Sequence, residues 1–134
     1  MNVLSLFDGI SCGMIALERA GIKADNYFAS EIDKYAIQVS KQNYPNIIRL
    51  GDVTNWREWD LPKIDLVIGG SPCQDLSRIK SKDGKGLDGE KSKLFYTYFD
   101  IVNFYKPKYF LLENVIMNKD DENIISELLG VDPI

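Results

Sequence analysis

The chain has 134 residues, of which 45% are hydrophobic and 27% charged, and its net charge at pH 7 is -4. These values predict one ordinary folded domain and exclude a disordered chain. No apolar stretch approaches the roughly 20 residues that cross a bilayer, and the N-terminus lacks a secretory signal pattern, so we expect a cytoplasmic location. The chain has no histidine, and its two cysteines, Cys12 and Cys73, lie in unrelated contexts. Histidine-based nucleophile pairs are therefore excluded within this chain, and we expect neither a disulfide framework nor a metal site.

The first predicted element is an apolar strand, Asn2–Leu6, followed by a glycine turn and a helix that ends at Gly21. The turn has the sequence FDGISCG at residues 7–13. Gly9 and Gly13 would let backbone amides approach a ligand at the positive end of the helix. The spacing matches neither the GxGxxG of dinucleotide-binding proteins nor a P-loop, so a tight turn without a ligand is the alternative.

A second strand is predicted over residues 26–32, and Asp33 is expected to cap a helix over residues 34–43. Glu31 lies near the end of that strand, about 20 residues beyond the glycine turn. A nucleotide-binding βαβ unit places the acceptor for ribose hydroxyls at this spacing. The alternative is that Glu31 caps the following helix.

A short third strand is predicted near residues 47–50, and Asp52 follows it within the sequence GDV. Carboxylates on two successive strand tips suit a nucleoside, which carries hydroxyls and an amino group. For Trp56 and Trp59, which come next, we expect the rings to pack against the sheet edge because such rings bury large areas.

The fourth strand, over residues 66–68, runs into the sequence GGSPCQDLS at residues 69–77. Pro72 fixes its own φ and favours an extended residue before it, which predicts that Cys73 is held on a stiff turn. Chemistry in open α/β sheets collects beyond the carboxyl ends of the strands. Cys73 is therefore a candidate nucleophile, and a buried structural thiol is the alternative.

A long loop is predicted over residues 78–90, which contain three glycines and many charges. Residues 78–93 carry six basic and three acidic side chains, a balance of +3, while the rest of the chain has a balance of -7. Loops of this length in compact domains are usually functional, and a merely solvated loop is the alternative.

An amphipathic helix follows, with aromatic side chains such as Tyr98 on its core-facing side. The next strand, Tyr109–Leu112, leads directly into Glu113 and Asn114. Because Glu113 and Cys73 both follow strand tips, we expect them to face one crevice. A last helix is predicted over residues 121–129, with Gly130 as its C-cap. The alternation predicts a Rossmann-like α/β fold, in which a mostly parallel sheet with flanking helices binds a nucleoside.

Six segments together resemble the cytosine-5 DNA methyltransferases, in that family's order and over essentially the whole chain. They are FDGISCG at 7–13, EID at 31–33, GDV at 51–53, GGSPCQDLS at 69–77, SKLFY at 92–96 and ENV at 113–115. Pro-Cys-Gln followed some forty residues later by Glu-Asn-Val is the most specific combination. The first segment is similar to the branch that includes the animal de novo methyltransferases, and bacterial and phage enzymes share it.

The resemblance implies a methyltransferase fold that binds S-adenosylmethionine, and its product S-adenosylhomocysteine, at the strand tips. Phe7 would pack on the adenine, Glu31 would hold the ribose hydroxyls, and Asp52 would accept a hydrogen bond from the adenine amino group. The backbone of the glycine turn would approach the methionine part. The positions that match the family's cofactor site are Phe7, Asp8, Gly9, Ile10, Ser11, Glu31, Ile32, Asp52, Val53, Pro72 and Leu94.

The resemblance also implies methyl transfer to C5 of a cytosine flipped out of double-stranded DNA. Cys73 would add to C6 of the base, and Glu113 would act at N3 as a protonated acid in a desolvated pocket. Asn114 would orient the Pro-Cys turn. The candidate DNA contacts are Gln74, Ser77, Arg78 and Asn114, together with the basic segment 78–93.

Three segments of the family do not occur within these 134 residues: a Gln-x-Arg segment, a target-recognition domain and a closing Gly-Asn segment. The resemblance therefore implies a truncated fold, the N-terminal half of a DNA methyltransferase, inactive alone. A C-terminal half on another chain would complete it, or the chain would self-associate, with no membrane partner. The implied setting is the cytoplasm, as in bacterial or phage restriction-modification, or the nucleus of a eukaryote. The alternatives are a non-catalytic module that binds cofactor or partner proteins and a cytosine-5 tRNA methyltransferase.

Overall fold

The structure is a computed structural model that describes residues 1–71, 93–117 and 119–134. The strands in these ranges are β1 (Asn2–Leu6), β2 (Asn26–Ser30), β3 (Ile48–Gly51), β4 (Leu66–Gly69) and β5 (Tyr109–Leu112). The helices are α1 (Cys12–Arg19), α2 (Lys34–Asn43), a 3-10 helix (Val53–Glu58), α3 (Lys93–Tyr105) and α4 (Lys119–Leu129). The described strands form one sheet in the order β3-β2-β1-β4-β5, and every pair in it is parallel. The predicted Rossmann-like α/β fold is confirmed.

The order of the strands reverses between β1 and β4. From β1 the sheet extends through β2 to β3 on one side, and through β4 to β5 on the other. Leu6 at the end of β1 pairs with Gly69 at the end of β4. Ligands of open parallel sheets bind in the crevice outside the carboxyl ends of the strands at such a reversal. The glycine turn after β1 and the segment that begins at Gly70 therefore border the crevice.

Strand β1 is covered on both faces, and its successive side chains belong to two different clusters. Leu4 packs in a cluster that includes Tyr98 of α3 and Trp56 of the 3-10 helix. Val3 packs in a second cluster that includes Leu17 of α1. Side chains alternate between the two faces along a strand, so a continuous apolar run fits a strand buried on both sides. The sheet is thus held rigidly beneath the crevice.

Three local predictions are confirmed. Asp33 caps α2, because its carboxylate accepts hydrogen bonds from the backbone N–H groups of Tyr35 and Ala36. Gly130 follows α4 in a left-handed conformation with φ of 69°. Trp56 is only 5% exposed within the first cluster, as expected for a ring that packs on the sheet.

Some predicted boundaries were wrong, and local hydrogen bonds explain the difference for β2. That strand ends at Ser30 instead of residue 32, because the Glu31 carboxylate accepts from the N–H groups of the next two residues and turns the chain. Helix α1 begins at Cys12, earlier than the predicted start of the helix. Helix α4 begins at Lys119, which pairs with Glu122, and acidic side chains in its first turn stabilise the helix N-terminus. No helix among the described residues has the length and hydropathy needed to cross a membrane.

Candidate active site

The turn after β1 holds three residues in left-handed conformations: Phe7 with φ of 56°, Gly9 with 59° and Ser11 with 68°. Glycine adopts this conformation without strain, whereas each of the other two residues costs about 1–3 kcal/mol. Such strain persists only where the surrounding structure fixes the backbone, and it concentrates at functional sites. A Cβ added to Gly9 would meet no other atom within 4 Å, so the space beside the turn is open.

Glu31 joins the glycine turn to the tip of β2. Its Oε2 atom accepts a hydrogen bond of 2.7 Å from the backbone N–H of Gly9. Its Oε1 atom accepts from the N–H groups of Ile32 and Asp33, at 2.8 and 2.9 Å. Glu31 therefore does not cap α2, a role that Asp33 fills. The carboxylate lies beside the turn, where the sequence predicts an acceptor for ribose hydroxyls.

Asp8 and Ser11 direct their side chains away from the open space and into the protein. Asp8 accepts hydrogen bonds from the Tyr27 hydroxyl, at 2.8 Å, and from the Ser11 hydroxyl. Ser11 is fully buried, and its Oγ atom also lies 2.7 Å from Oγ of Ser40. Burial, together with the Asp8 carboxylate, raises the pKa of Tyr27, so its hydroxyl keeps its proton. The polar side-chain groups of Asp8 and Ser11 are thus bonded within the protein, and their backbone N–H groups donate to the carbonyl oxygens of Ser30 and Asp8.

Apolar side chains of the predicted cofactor site differ in their burial. Val53 is 6% exposed and belongs to the first hydrophobic cluster, against which Phe7 and Leu94 pack half-buried. Ile10 and Ile32 are 46% and 71% exposed. The structure thus brings three residues of the predicted cofactor site, Phe7, Val53 and Leu94, onto one cluster, while Ile10 and Ile32 remain open to solvent.

Asp52 lies at the tip of β3 and is exposed. Its Oδ1 atom accepts hydrogen bonds of 2.8 Å from both the backbone N–H and the hydroxyl of Thr54, the second residue of the 3-10 helix. The Ser30 hydroxyl donates to the carbonyl oxygen of Gly51 at 2.8 Å and ties β2 to β3. The tips of β1, β2 and β3 are therefore linked, and Glu31 and Asp52 follow two adjacent tips.

The tips of β4 and β5 are joined in a similar way. The backbone N–H of Glu113 donates to the Gly69 carbonyl oxygen at 2.9 Å. The Asn114 side-chain amide donates to the Ser71 hydroxyl, also at 2.9 Å. A Cβ added to Gly70 would lie 2.8 Å from Oε2 of Glu113, so the carboxylate lies directly against the Gly70 backbone. Glu113 is thus held beside the segment from which the chain enters the Pro-Cys-Gln sequence.

Five of the predicted site residues lie outside the described residues: Pro72, Cys73, Gln74, Ser77 and Arg78. The predicted long loop over residues 78–90 also lies outside them. That Cys73 and Glu113 face one crevice therefore stays a prediction. The side chain of Glu113 is exposed, so the described residues alone do not enclose the desolvated pocket that was expected for this acid.

Sequence reasoning missed four residues that hold these loops: Tyr27, Ser40, Arg49 and Ser71. Tyr27 and Ser40 occupy ordinary positions in a strand and a helix, and no pattern distinguishes them. For Arg49, the only signal was an arginine within a short strand. Ser71 could have been suspected only from its place before Pro72.

Comparisons with known proteins agree with this geometry. A sequence profile of the C-5 cytosine-specific DNA methylase family matches residues 1–129. Over 130 residues the chain is 36% identical to the orphan methyltransferase M.Rho11sI of Bacillus phage rho11s. This match covers 94% of this chain and 25% of the relative. It is 35% identical over 130 residues to the orphan methyltransferase M.SPRI of Bacillus phage SPR, covering 94% of this chain and 29% of that relative.

A third relative is the type II methyltransferase M.FnuDI of Fusobacterium nucleatum, 33% identical over 131 residues, with 96% of this chain and 37% of the relative covered. The chain therefore spans between a quarter and somewhat more than a third of the length of these relatives. Because the family profile matches nearly the whole chain, this protein belongs to the C-5 cytosine-specific DNA methylase family.

Proposed function

We propose that residues 1–134 form the single domain that binds cofactor and carries the catalytic residues of a DNA cytosine-5 methyltransferase. The reaction would transfer a methyl group from S-adenosylmethionine to C5 of a cytosine in double-stranded DNA. The observation that supports this most strongly is the contact between the tips of β4 and β5. It places the Glu113 carboxylate against Gly70, in the segment that leads to Cys73.

The residues at the tips of β1, β2 and β3 fit the cofactor that this family generally uses, S-adenosylmethionine. Beside the open space at Gly9 lies the Glu31 carboxylate, a suitable acceptor for ribose hydroxyls. Asp52 would accept from the adenine amino group, and Phe7 would pack on the adenine. The cofactor supplies an electrophilic methyl group when it is bound. The further proposed contacts are Asp8, Gly9, Ile10, Ser11, Ile32, Val53, Pro72 and Leu94.

The chemistry explains why a thiol and an acid are needed together. C5 of cytosine is too weak a nucleophile to take a methyl group, so the Cys73 thiolate would add to C6 and place electron density on C5. Glu113, acting as a general acid, would donate a proton to N3 as charge develops on the ring. Once C5 carries the methyl group, loss of the C5 proton and elimination of the thiolate would release the base. Within these 134 residues no histidine is present to take the thiol proton of Cys73.

DNA binding is proposed to depend on the segment after Cys73. Gln74, Ser77 and Arg78 would contact the DNA, with the +3 balance of residues 78–93 available to phosphates. Asn114 would orient the Pro-Cys turn through its bond to Ser71. Because the chain spans about a quarter to a third of its relatives, we propose that a region of the kind that follows the match in those relatives completes the site.

A trapping experiment tests the catalytic proposal. The chain is mixed with S-adenosylmethionine and duplex DNA that contains 5-fluorocytosine, with and without the region of M.FnuDI that follows its match to this chain. Fluorine at C5 cannot leave as a proton does, so the adduct through Cys73 should persist on a denaturing gel. We expect the adduct in the completed mixture, none with Cys73→Ser, and at least about tenfold less with Glu113→Gln.

Cys12→Ser is the matched control, because it removes the other thiol of the chain, which is exposed on α1. It should form the adduct at the wild-type rate. If the completed mixture gives no adduct while the chain binds S-adenosylmethionine, the catalytic assignment fails and a non-catalytic cofactor-binding module is favoured. An adduct that survives Cys73→Ser would contradict the assignment of the nucleophile.

A further inference from the structure

We infer that Ser40 and Arg49 are positioning residues for the glycine turn, acting through a hydrogen-bonded relay that ends at Asp8. The inference rests on the proposed function, in which the backbone of this turn contacts the cofactor. Ser40 lies on α2 and is 3% exposed, so it has almost no surface to offer a ligand. Arg49 lies on β3, two strands away from β1 in the sheet. Both residues would therefore act only through the side chains between them and the turn.

The relay consists of four side chains, one on β3, one on α2 and two on the turn between β1 and α1. Nη2 of Arg49 donates to Oγ of Ser40 at 2.9 Å. Oγ of Ser40 lies 2.7 Å from Oγ of Ser11. The Ser11 hydroxyl in turn donates to Oδ2 of Asp8, whose other oxygen accepts from the Tyr27 hydroxyl on β2. Each link lies within hydrogen-bonding distance, so the relay is continuous from β3 to the turn.

The direction of every hydrogen bond in the relay follows from the number of protons. The Asp8 carboxylate can only accept hydrogen bonds, so Ser11 must donate its single hydroxyl proton to Asp8. Ser11 can then only accept from Ser40, which must donate its own proton there. Ser40 accepts in turn from Arg49, which is always charged and only donates. Each hydrogen bond of the relay is therefore donated in the direction from the Arg49 cation towards the Asp8 anion.

The ends of this relay carry opposite charges that do not touch directly. Arg49 is fixed by two further bonds, from Nη1 to the Ile47 carbonyl oxygen at 2.8 Å and from Nη2 to the Tyr44 carbonyl oxygen at 3.1 Å. Within the described part of the chain no salt bridge joins Arg49 to a carboxylate. The two buried serine hydroxyls are thus the connection between the Arg49 charge and Asp8. Removing either one breaks the relay and takes one hydrogen-bond partner from each of its two neighbours.

The turn needs this support because its backbone is strained. Phe7 and Ser11, on either side of Asp8, are non-glycine residues with positive φ. Residues in such conformations stay there only when their surroundings over-determine them. Asp8 is held by its side chain through the relay, and by its N–H through a bond to the Ser30 carbonyl oxygen at 3.0 Å. The relay therefore fixes the turn in the shape that presents the N–H of Gly9 to Glu31.

The first test compares Ser40→Ala with Ile101→Val by amide hydrogen exchange in the unliganded chain. Ile101 is fully buried in the cluster that also contains Tyr98 and Trp56. Its truncation therefore destabilises the fold without removing a hydrogen bond of the relay. Ser40→Ala should raise exchange at the N–H groups of Gly9 and Ser11 by about tenfold relative to Ile101→Val. Equal exchange at these two amides in both variants would overturn the relay.

The second test measures S-adenosylhomocysteine binding to the same variants by calorimetry. Ser40→Ala should weaken binding by about tenfold, while Ile101→Val leaves it unchanged. Wild-type affinity in Ser40→Ala would overturn the positioning role. If the wild-type chain does not bind the ligand, the proposed function fails, and the exchange result still decides whether the relay holds the turn.

A milder variant keeps the inference testable if Ser40→Ala does not fold. Arg49→Lys retains the charge but lacks the planar fork that reaches Ser40 and two carbonyl oxygens together. It should raise exchange at Gly9 and Ser11 by about threefold, and wild-type exchange in this variant would overturn the relay.

Discussion

The Asn114 side-chain amide donates a hydrogen bond of 2.9 Å to the Ser71 hydroxyl, across the tips of β5 and β4. The carbonyl oxygen of the same amide accepts from the N–H of Val115 at 2.8 Å, which fixes the orientation of the side chain. Ser71 is 4% exposed and immediately precedes Pro72 in the sequence. The last described residue before the Pro-Cys-Gln sequence is therefore anchored by β5 as well as by β4.

Asn114→Ala removes both of these bonds. We predict that it lowers the free energy of unfolding by about 1–2 kcal/mol and slows formation of the 5-fluorocytosine adduct by at least about tenfold. Affinity for S-adenosylhomocysteine should stay within about twofold, because the proposed contacts lie mainly on the tips of β1, β2 and β3. Urea unfolding, trapping and calorimetry measure the three quantities.

The control for this variant is Asn43→Ala, whose side-chain amide bonds to the Val39 carbonyl oxygen on an exposed part of α2. It should change the free energy of unfolding by less than about 0.5 kcal/mol and leave trapping unchanged. Wild-type trapping by Asn114→Ala would show that the bond to Ser71 does not orient the Pro-Cys turn.

Gly70→Ala tests the placement of Glu113. The added Cβ would lie 2.8 Å from Oε2 of Glu113, so the carboxylate must move away. We expect at least about a tenfold loss of adduct formation, as for loss of a general acid. Gly21→Ala is the comparison: its φ of 68° strains an alanine, but nothing lies within 4 Å of the added Cβ. That variant should lose roughly 1–2 kcal/mol of stability and still form the adduct, and equal trapping by both variants would contradict the placement.

The elements that could be predicted from the sequence are those defined by local signals. Strands β1 and β5 are short apolar runs, and α2 begins after a capping aspartate, Asp33, so their observed bounds match the prediction. The end of β2 could not be predicted, because the Glu31 carboxylate that turns the chain there is also held by the N–H of Gly9, 22 residues away. Bonds between distant residues leave no local pattern in the sequence.

The candidate site likewise contains residues that could be predicted from the sequence and residues that could not. Motifs identified Glu31, Asp52 and Glu113, because acidic residues that follow strands in a parallel sheet end up at one edge. They did not identify Ser40 or Arg49, which reach the glycine turn only through side chains on α2 and β3. Such residues become visible only when distances between elements are known.

Two buried tyrosines should respond differently to loss of their hydroxyls. Tyr27 donates to the Asp8 carboxylate, whereas the hydroxyl of Tyr98 has no hydrogen-bond partner in the described residues. Tyr27→Phe is predicted to lower the free energy of unfolding by about 1–2 kcal/mol, and Tyr98→Phe to leave it unchanged or raise it by about 1 kcal/mol. Urea unfolding at neutral pH measures both, and equal losses would contradict the assignment of the two hydroxyls.

The same tyrosines predict the response to alkali. Burial raises the pKa of Tyr98, and burial together with Asp8 raises that of Tyr27. The folded chain therefore holds these protons more tightly than the unfolded chain does. Stability from this source is intact below pH 10.0, the ordinary pKa of tyrosine, and is lost as the pH rises above it. Tyr98→Phe should unfold at a higher pH than the wild type, and superimposable alkaline unfolding curves would contradict this.

Strand β5 is the outer strand of the described sheet and exposes apolar side chains, with Tyr109 50% and Leu111 59% exposed. Beyond it, Ile116 is 77% exposed. An open cavity of about 540 Å³ is lined by residues of β5 and α4 and by the residues that follow these two elements. An unpaired edge with apolar side chains favours pairing with another chain. We therefore predict that the chain self-associates through β5 as its concentration rises.

Light scattering over a concentration series measures this association. Leu111→Lys should shift the chain towards monomer, because a charged side chain on an edge strand opposes pairing. Val39→Lys places the same charge at a 39% exposed position on α2 and should have no effect. A wild-type chain that stays monomeric at high concentration would contradict the prediction.

We propose that the tips of β1, β2 and β3 bind the cofactor, with Glu31 as the acceptor for its ribose. A calorimetric isotherm for S-adenosylhomocysteine tests it most directly, with Glu31→Gln and the control Glu18→Gln, a change on the exposed side of α1. We predict saturable binding of one ligand per chain, weakened by about tenfold or more in Glu31→Gln and unchanged in Glu18→Gln. A folded chain without saturable binding, or equal affinities in all three proteins, would contradict it.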